Sequence, residues 1–406
     1  MQDKELYRQL LGLEHPWRIE EVTLDHEKKS VDVFVEWPVE HQIACPECGR
    51  KGPIYDHREE RSWRSLDTMQ YRTVIHCRVP RIDCPEHGVK TMNVPWAGKH
   101  SRFTALFERL AIDILQGCLN VTSAMAILGL SWDEVHHIRQ RAVERGLQRR
   151  EAAPRHIGVD EKGLRRGQSY ATLLYDLDGS RVLDVAQGRK EEDLEALLSG
   201  FDESQRAGIR AVAMDMWEPF RRAVERLLPR AAIVHDRFHI MRYLTEAVDH
   251  VRRSENKALL SQGEDTLKGT RFLWLRRPGN LSEEQSLEFR ELKSKGLKVA
   301  RAWSIKELFD RLWSYSYDGA ARKFFRRWFF WATHCRLKPV MEVARMLKRH
   351  LDNILTYLKH HITNAVAEGI NSRIQQVKSA ARGFRNFENF RTAVLFYCGR
   401  LDVYPQ

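Results

Sequence analysis

Apolar and polar residues alternate in "SVDVFVEW" (30–37) and in part of "YRTVIHCRV" (71–79). That period of two is the mark of half-buried strands, so residues 1–100 read as short strands joined by turns. From "SRFTALFERLAIDILQG" at residue 101 to about Arg150 the spacing becomes helical. Beyond Pro154 the pattern changes again. "HIGVDEKGL", "SYATLLYDLD" and "RVLDVAQG" are three strand-like runs, followed by a helix "EEDLEALLSGF", a strand "IRAVAMD", a helix "EPFRRAVERLLP" and a strand "AAIVHD". Strands followed by an alternating tail predict a mixed α/β sheet. Residues 241–362 read as helix throughout. "RKFFRRWFFWATHC" resembles a lipid-binding stripe, but Phe324, Phe325, Trp328 and Phe329 keep helical spacing and are expected in a core. A last long helix is expected to start near Asn364. The expected segments are 1–100, 101–150, 151–240, 241–362 and 363–406.

Charge narrows the function classes. The 406 residues carry a formal net charge of +12, with Arg as the dominant base. Arg stays charged and grips phosphate bidentately, so nucleic acid is a candidate partner. No run approaches eighteen apolar residues and "MQDKELYRQLLGL" has no signal-peptide pattern, so the chain is expected in the cytoplasm. In that reducing compartment, the seven cysteines are expected as metal ligands or buried thiols.

Three carboxylates stand out. Asp160 ends the first strand of the α/β region and Asp215, in "AVAMDMWEPF", ends the fourth. A bare charge at the end of a buried strand is costly without a positive partner. If the two strands are neighbours, both side chains emerge at one edge. Glu368 lies in "TNAVAEGINSRIQQVKSAARGF", where Asn364, Glu368, Asn371 and Gln375 share one helical face and Val366, Ile370 and Val377 lie opposite. Two Asp and one Glu make a hard oxygen site for two Mg²⁺ or Mn²⁺ ions, which suits phosphodiester chemistry. The alternative for Asp215 is a cap on the helix beginning near Glu218. Glu161 is an understudy to Asp160, and Asp176 and Asp178 read as turn formers.

The order Asp160, Asp215, then Glu368 after a long helical stretch resembles the DDE transposases of bacterial insertion sequences, and most closely the ISL-three family. "HIGVDEKGLRRGQSYATLLYDLDGSRVLDV", "VAMDMWEPF", "IVHDRFHIMRYL" and "TNAVAEGINSRIQQVKSAARGFRNFENF" are similar to that family's blocks in the same order. The resemblance implies an α/β catalytic domain of RNase H-like fold with a large all-helical insertion, behind an N-terminal zinc-binding β module and a helix-turn-helix. It implies that Asp160, Asp215 and Glu368 are catalytic and hold the Mg²⁺ ions. Asp236 and His239 of "DRFH" match an Asp/Cys-x-x-His pair of related transposases, as supports of the catalytic core or, for His239, as a further ligand.

Two motifs carry the rest. Cys45-Pro-Glu-Cys48 and Cys84-Pro-Glu-His87 are paired knuckles that make a complete tetrahedral set for one structural Zn²⁺, with Cys77, His57 and His76 as rival ligands. Cys118, Cys335 and Cys398 fit helical core. The arginines and aromatics of "HREERSWRSLDTMQYRTVIHCRVPRI", between the knuckles, are candidates for phosphate contact. In "VTSAMAILGLSWDEVHHIRQRAVERG" two helices flank a Gly129–Ser131 turn, and Ser131 with Glu134 spells a capping box. Val135, Ile138 and Ala142 would pack inward. His136, His137, Arg139, Gln140 and Arg141 would face DNA. In the helical insertion, Trp274 with Arg276 and Arg277 of "RFLWLRRPGN" is a candidate exposed DNA contact. The expected partner is double-stranded DNA, both element ends and target, bound by a homodimer or larger homo-oligomer. The expected function is binding of terminal inverted repeats, strand cleavage and strand transfer. The alternatives are an RNase H-like nuclease without strand transfer and a catalytically inactive DNA-binding regulator.

Overall fold

The computed structural model describes residues 3–150, 154–164, 169–362 and 365–405. The chain divides into two compact units, Met1–Arg150 with Val377–Gln406, and Glu151–Gln376.

The first unit begins with α1 (Asp3–Leu10), followed by β1 (Arg18–Asp25), β2 (Ser30–Glu36), β3 (Ile43–Ala44), β4 (Lys51–Gly52), β5 (Asp56–His57), β6 (Arg61–Arg64), β7 (Arg72–Cys77), β8 (Pro80–Cys84) and β9 (Gly88–Thr91). One sheet has the order β1-β2-β7-β6, and two small ribbons, β3-β4 and β5-β8-β9, carry the knuckles. The alternation in β2 sends Val31, Val33 and Val35 into a core with Trp17, Trp63, Ile75 and Trp96. Helices α2 (Ala105–Cys118), α3 (Val121–Leu128) and α4 (Trp132–Gln148) follow. Val135, Ile138 and Ala142 point inward as expected.

The C-terminal helix (Phe387–Cys398) packs on α4, and the chain from Val377 groups with the first unit. The reason is local. Gly146 of α4 leaves room for Leu401, whose Cβ would sit 2.5 Å from a Cβ added there. Arg149 reaches Asp402 at 2.9 Å, and Tyr404 donates its hydroxyl proton to Asp113 at 2.6 Å. None of these contacts has a periodic signature.

The second unit holds β10 (His156–Gly163), β11 (Tyr170–Asp176), β12 (Arg181–Gln187), α5 (Glu191–Ser199), α6 (Glu203–Gly208), β13 (Ala211–Met214), α7 (Glu218–Leu227) and β14 (Ala232–His235). The five strands form one sheet in the order β12-β11-β10-β13-β14. β12, β11 and β10 run antiparallel, whereas β13 and β14 add in parallel through helical crossovers. This is the mixed α/β sheet that the order of apolar runs predicts. Ile157, Val159, Val212 and Met214 line one face against Leu194, Leu198, Phe220 and Val224 of α5 and α7. Strand alternation sends Asp160 and Asp215 to the other face.

The helical region comprises α8 (Arg237–Ser261), α9 (Arg271–Leu275), α10 (Glu283–Ser294), α11 (Lys298–Asp310), α12 (Asp318–His334), α13 (Lys338–Arg349), α14 (Leu351–Leu355) and α15 (Tyr357–His360). Phe325 and Trp328 are buried in its core and Phe324 and Phe329 pack against it, as their spacing predicts. No helix among the described residues is long and apolar enough to cross a membrane. The last long helix, α16, spans Ala365–Ala380; Asn364 lies outside the described residues.

Candidate functional site

The carboxylates sit at the ends of parallel strands. Gly158 of β10 pairs with Ala213 of β13, so two residues further on Asp160 stands level with Asp215. Met214 pairs with His235 of β14, which brings Asp236 level with Asp215 in turn. Three acidic residues therefore form a row across three adjacent strands. Asp215 does not cap α7: that helix opens at Trp217 with a proline in its first turn and no side-chain cap. Its Oδ1 accepts the Met216 amide at 2.8 Å, and its Oδ2 is 3.8 Å from the Arg242 guanidinium.

Asp160 is held from two sides. Its Oδ1 accepts the Glu161 amide at 2.8 Å and its Oδ2 accepts the Asn371 side-chain amide at 2.8 Å. Burial pushes its carboxyl up, and the Asp215 charge adds to the rise against those hydrogen bonds and the pull of His239. Asp236 is buried, caps α8 and lies 3.2 Å from His239 Nδ1. Burial disfavours the charged imidazole of His239, but the Asp236 hydrogen bond and the charges of Asp215 and Asp236 outweigh it and raise its pKa.

Glu368 is exposed on α16, one helical turn before Asn371. Asn371 is the link that sequence reading placed on the polar face without giving it a role. Besides Asp160, it accepts the Tyr175 hydroxyl at 2.9 Å and, through its backbone oxygen, the Lys162 ammonium at 2.6 Å. The buried face of α16 is Ala367, Ile374 and Val377, with Val366 and Ile370 only half-buried, so the apolar face is turned from the expected one. Among the described residues, the one group of His, Cys, Asp and Glu side chains close enough to share an ion is the Cys₃His set. The structure sets Asp160, Asp215 and Asp236 at adjacent strand ends with His239 against Asp236, and leaves Glu368 exposed on α16 one turn from Asn371.

The zinc set comes from two tight turns. Cys45–Cys48 closes the β3-β4 ribbon, with Gly49 at φ +73° letting the Gly49 amide reach the Cys45 carbonyl at 2.9 Å. Cys84–His87 closes the β8-β9 ribbon. The Cys48–Cys84 sulfurs are 3.7 Å apart, and His87 Nδ1 lies 3.9 and 3.6 Å from the sulfurs of Cys45 and Cys84. Bond lengths of about 2.3 Å to sulfur and 2.0–2.1 Å to nitrogen at tetrahedral angles give edges of about 3.8 and 3.6 Å. The donor set fits one structural zinc ion, which would staple the two ribbons. The His87 ring and the Glu86 amide pull the Cys84 thiol below its usual value, while Cys48, despite the Arg50 amide, is pushed up by burial and its two sulfur neighbours. Three thiols that compete for charge in this way suit a shared cation. Cys77 lies apart in the core beside Trp63 and Ile75, where burial pushes its thiol up to about 12. His76 bonds Asp32 and Glu60 instead.

The helix-turn-helix has the expected Ser131–Glu134 capping box. Two of its expected DNA contacts are placed otherwise. Arg139 is 4 % exposed and lies beside Tyr397, with burial lowering its pKa. Arg141 donates to the buried Glu108 at 3.1 Å, as Arg145 does at 2.6 Å. A buried carboxylate needs these partners, which is why the arginines turn inward. His137 stays exposed and His136 and Gln140 half-buried. Trp132, exposed at the start of α4, stacks on His136 with centroids 4.7 Å apart; the i, i+4 spacing was a readable signal. In the zinc module, Arg58, Arg61, Lys90, Lys99 and His100 line an open cleft of about 820 Å³.

Trp274 is not a surface contact. It is 0 % exposed, donates its indole N–H to Thr270 at 3.3 Å and packs edge-on against Phe289. Two residues away on the short α9, Phe272 faces outward with the Arg271 and Arg276 guanidiniums 5.7 and 5.1 Å from its ring. Arg276 and Arg277 are exposed as expected. Trp274→Ala is therefore expected to destabilise the helical core by about 3–5 kcal/mol in chemical denaturation. A stable variant would show that the indole is not core.

A zinc-ribbon-like module, a capped helix-turn-helix and an α/β unit with strand-end carboxylates define a DNA-handling protein of the transposase class. The family comparisons agree with that class. Residues 157–394 match the transposase model of the ISL3 type, residues 41–87 the zinc finger of transposases IS204/IS1001/IS1096/IS1165, and residues 92–143 the helix-turn-helix domain of transposase family ISL3. The chain belongs to the ISL3 family of transposases. It is similar to the transposase for insertion sequence element IS1001 of Bordetella parapertussis, 26% identical over 89% of this chain and 90% of that protein. It is also similar to the transposase for insertion sequence element IS1557 of Mycobacterium tuberculosis, 27% identical over 95% and 93%.

Proposed function

We propose that this chain binds the terminal inverted repeats of an insertion sequence and carries out metal-dependent strand cleavage and strand transfer, with a catalytic domain of RNase H-like fold. The observation that carries the reading is the Asn371–Asp160 bond. It ties the helix bearing Glu368 to the strand end where Asp160 and Asp215 stand level. A five-stranded sheet with three antiparallel strands followed by two parallel ones supports the fold.

Asp160, Asp215 and Glu368 would hold Mg²⁺ or Mn²⁺, because the site offers hard carboxylate oxygens, and a cation there would favour the ionised form of Asp160 that burial and the Asp215 charge disfavour. When bound, two such ions supply an activated oxygen nucleophile and stabilise the leaving oxygen. The chain's own residues do the positioning. Asn371 and the Glu161 amide fix both oxygens of Asp160, and Asp236 holds the His239 ring beside the carboxylates. The zinc module and the outward side chains of α4 would seat the duplex.

The test is incubation of the purified chain with Mg²⁺ and a duplex from the DNA flanking its reading frame that contains the inverted repeat. Cutting at the element end and joining of the 3′-hydroxyl to a second duplex is expected. Binding without cutting would show a regulator, and cutting without joining a nuclease.

A further inference from the structure

Helix α8 brings a loosely held cation to the carboxylate row. The Asp236 cap fixes where the helix starts, and spacings of three and four put His239, Arg242, Tyr243 and Glu246 on one face from that end. Arg242 meets carboxylates on two sides, Asp215 Oδ2 at 3.8 Å and Glu246 Oε1 at 3.7 Å, both beyond hydrogen-bond length. Its guanidinium stands 5.6 Å from the centre of the Tyr243 ring. Burial and then the Asp215 charge hold the Tyr243 hydroxyl above its ordinary pKa, against the pull of Arg242. The Arg242 charge likewise opposes the rise in His239. Arg242 is thus placed among Asp215, His239 and Tyr243, while its side chain stays 44 % exposed.

An arginine paired at this distance is easily moved. Half-exposed ion pairs contribute little to stability, and the guanidinium offers a planar fork of N–H donors that fits a phosphate bidentately. The same charge has the opposite effect on a metal. A divalent cation on Asp215 and a guanidinium beside it repel, so Arg242 weakens the metal affinity of the carboxylates for as long as it stays there. A DNA phosphate that takes the fork relieves this repulsion. DNA binding and metal binding then favour each other, and by equal factors, because linkage is reciprocal.

We propose that Arg242 exchanges partners: it shares Asp215 with the metal site in the free chain and turns to the reacting phosphate when element-end DNA arrives, so that metal and DNA load together. The proposal deepens the strand-cutting reading above and rests on it. The first readout needs no cutting: Mn²⁺ binding to the full chain without DNA, followed by electron paramagnetic resonance. Arg242→Gln is expected to bind Mn²⁺ at least about threefold tighter than wild type, and Arg242→Lys, which keeps the charge, to stay within about twofold. Removing a merely structural arginine would loosen the site and weaken that binding. In saturating Mn²⁺, Arg242→Gln should cut the end duplex at least about tenfold more slowly than wild type, because the phosphate has lost its fork. Unchanged or weaker Mn²⁺ binding by Arg242→Gln would overturn the proposal, as would wild-type cutting by that variant. Asp215→Asn separates the two readings, since it should lose the Mn²⁺ binding that Arg242→Gln strengthens. Mn²⁺ binding untouched by Asp215→Asn, or a wild-type chain that cuts no end duplex, would remove the strand-cutting reading itself and this proposal with it.

Discussion

Asp160→Asn, Asp215→Asn and Glu368→Gln are each expected to slow Mg²⁺-dependent cutting and joining by about a thousandfold or more, since a metal supplies several kcal/mol of charge stabilisation at about 1.36 kcal/mol per decade. Binding of the element end should change little, because the zinc module and the helix-turn-helix lie in a separate compact unit. Each substitution keeps volume and removes an anionic ligand. Asp160 offers a second, independent readout. Burial, with Asp215 adding to it, raises its folded-state pKa above the unfolded one. Its ionisation therefore opposes folding, and its contribution to stability falls as pH rises through the window between those two values. Asp160→Asn removes that charge but turns one acceptor of the Glu161 and Asn371 N–H groups into a donor, so the two effects oppose and thermal stability at neutral pH should change little while cutting is lost. A variant that loses stability and activity together would assign Asp160 to packing. For Glu368, wild-type cutting by the Gln variant would remove it from the ligand set.

The second large effect concerns zinc. Cys48→Ser and Cys84→Ser should each release about one zinc ion per chain and unfold the β3-β4 and β8-β9 ribbons. The two ribbons bury little beyond Ile43, Cys45, Ile82 and Cys84, so they depend on the ion. Apparent binding energies of structural zinc are about 10–16 kcal/mol, and in a module this small that energy is folding energy. Cys77→Ser should keep its zinc, since Cys77 sits in the neighbouring hydrophobic core as a neutral thiol. Metal content by atomic emission and circular dichroism check both. Zinc loss from Cys77→Ser but not from His87→Ala would mean that the fourth ligand is assigned wrongly.

What the sequence made legible was whatever is local or periodic. The order of apolar runs gave the five strands of the α/β sheet, the x-x spacing gave the knuckles, and S-x-x-E gave the start of α4. Long-range partners had no such signature. Arg139 turns inward to Tyr397, and Asn371 meets Asp160, Tyr175 and Lys162, all far away along the chain. Trp274 departs from its expected exposure for a different reason. The five residues of α9 are too few to fix a helical phase, and the outward ring belongs to Phe272. The rotation of α16 differs from the one its apolar residues predict because small Ala367 is a core residue there, while the larger Val366 and Ile370 are only half-buried.

The most direct test of the carboxylate site is a change of metal preference. Asp215→Cys replaces a hard oxygen with a thiolate, which Mn²⁺ accepts more readily than Mg²⁺. The account predicts that this variant binds element ends, fails to cut them in Mg²⁺ and recovers cutting when Mn²⁺ replaces it. A folded, end-binding Asp215→Cys chain that cuts in Mg²⁺ like the wild type, or that stays inactive in both metals, would contradict it.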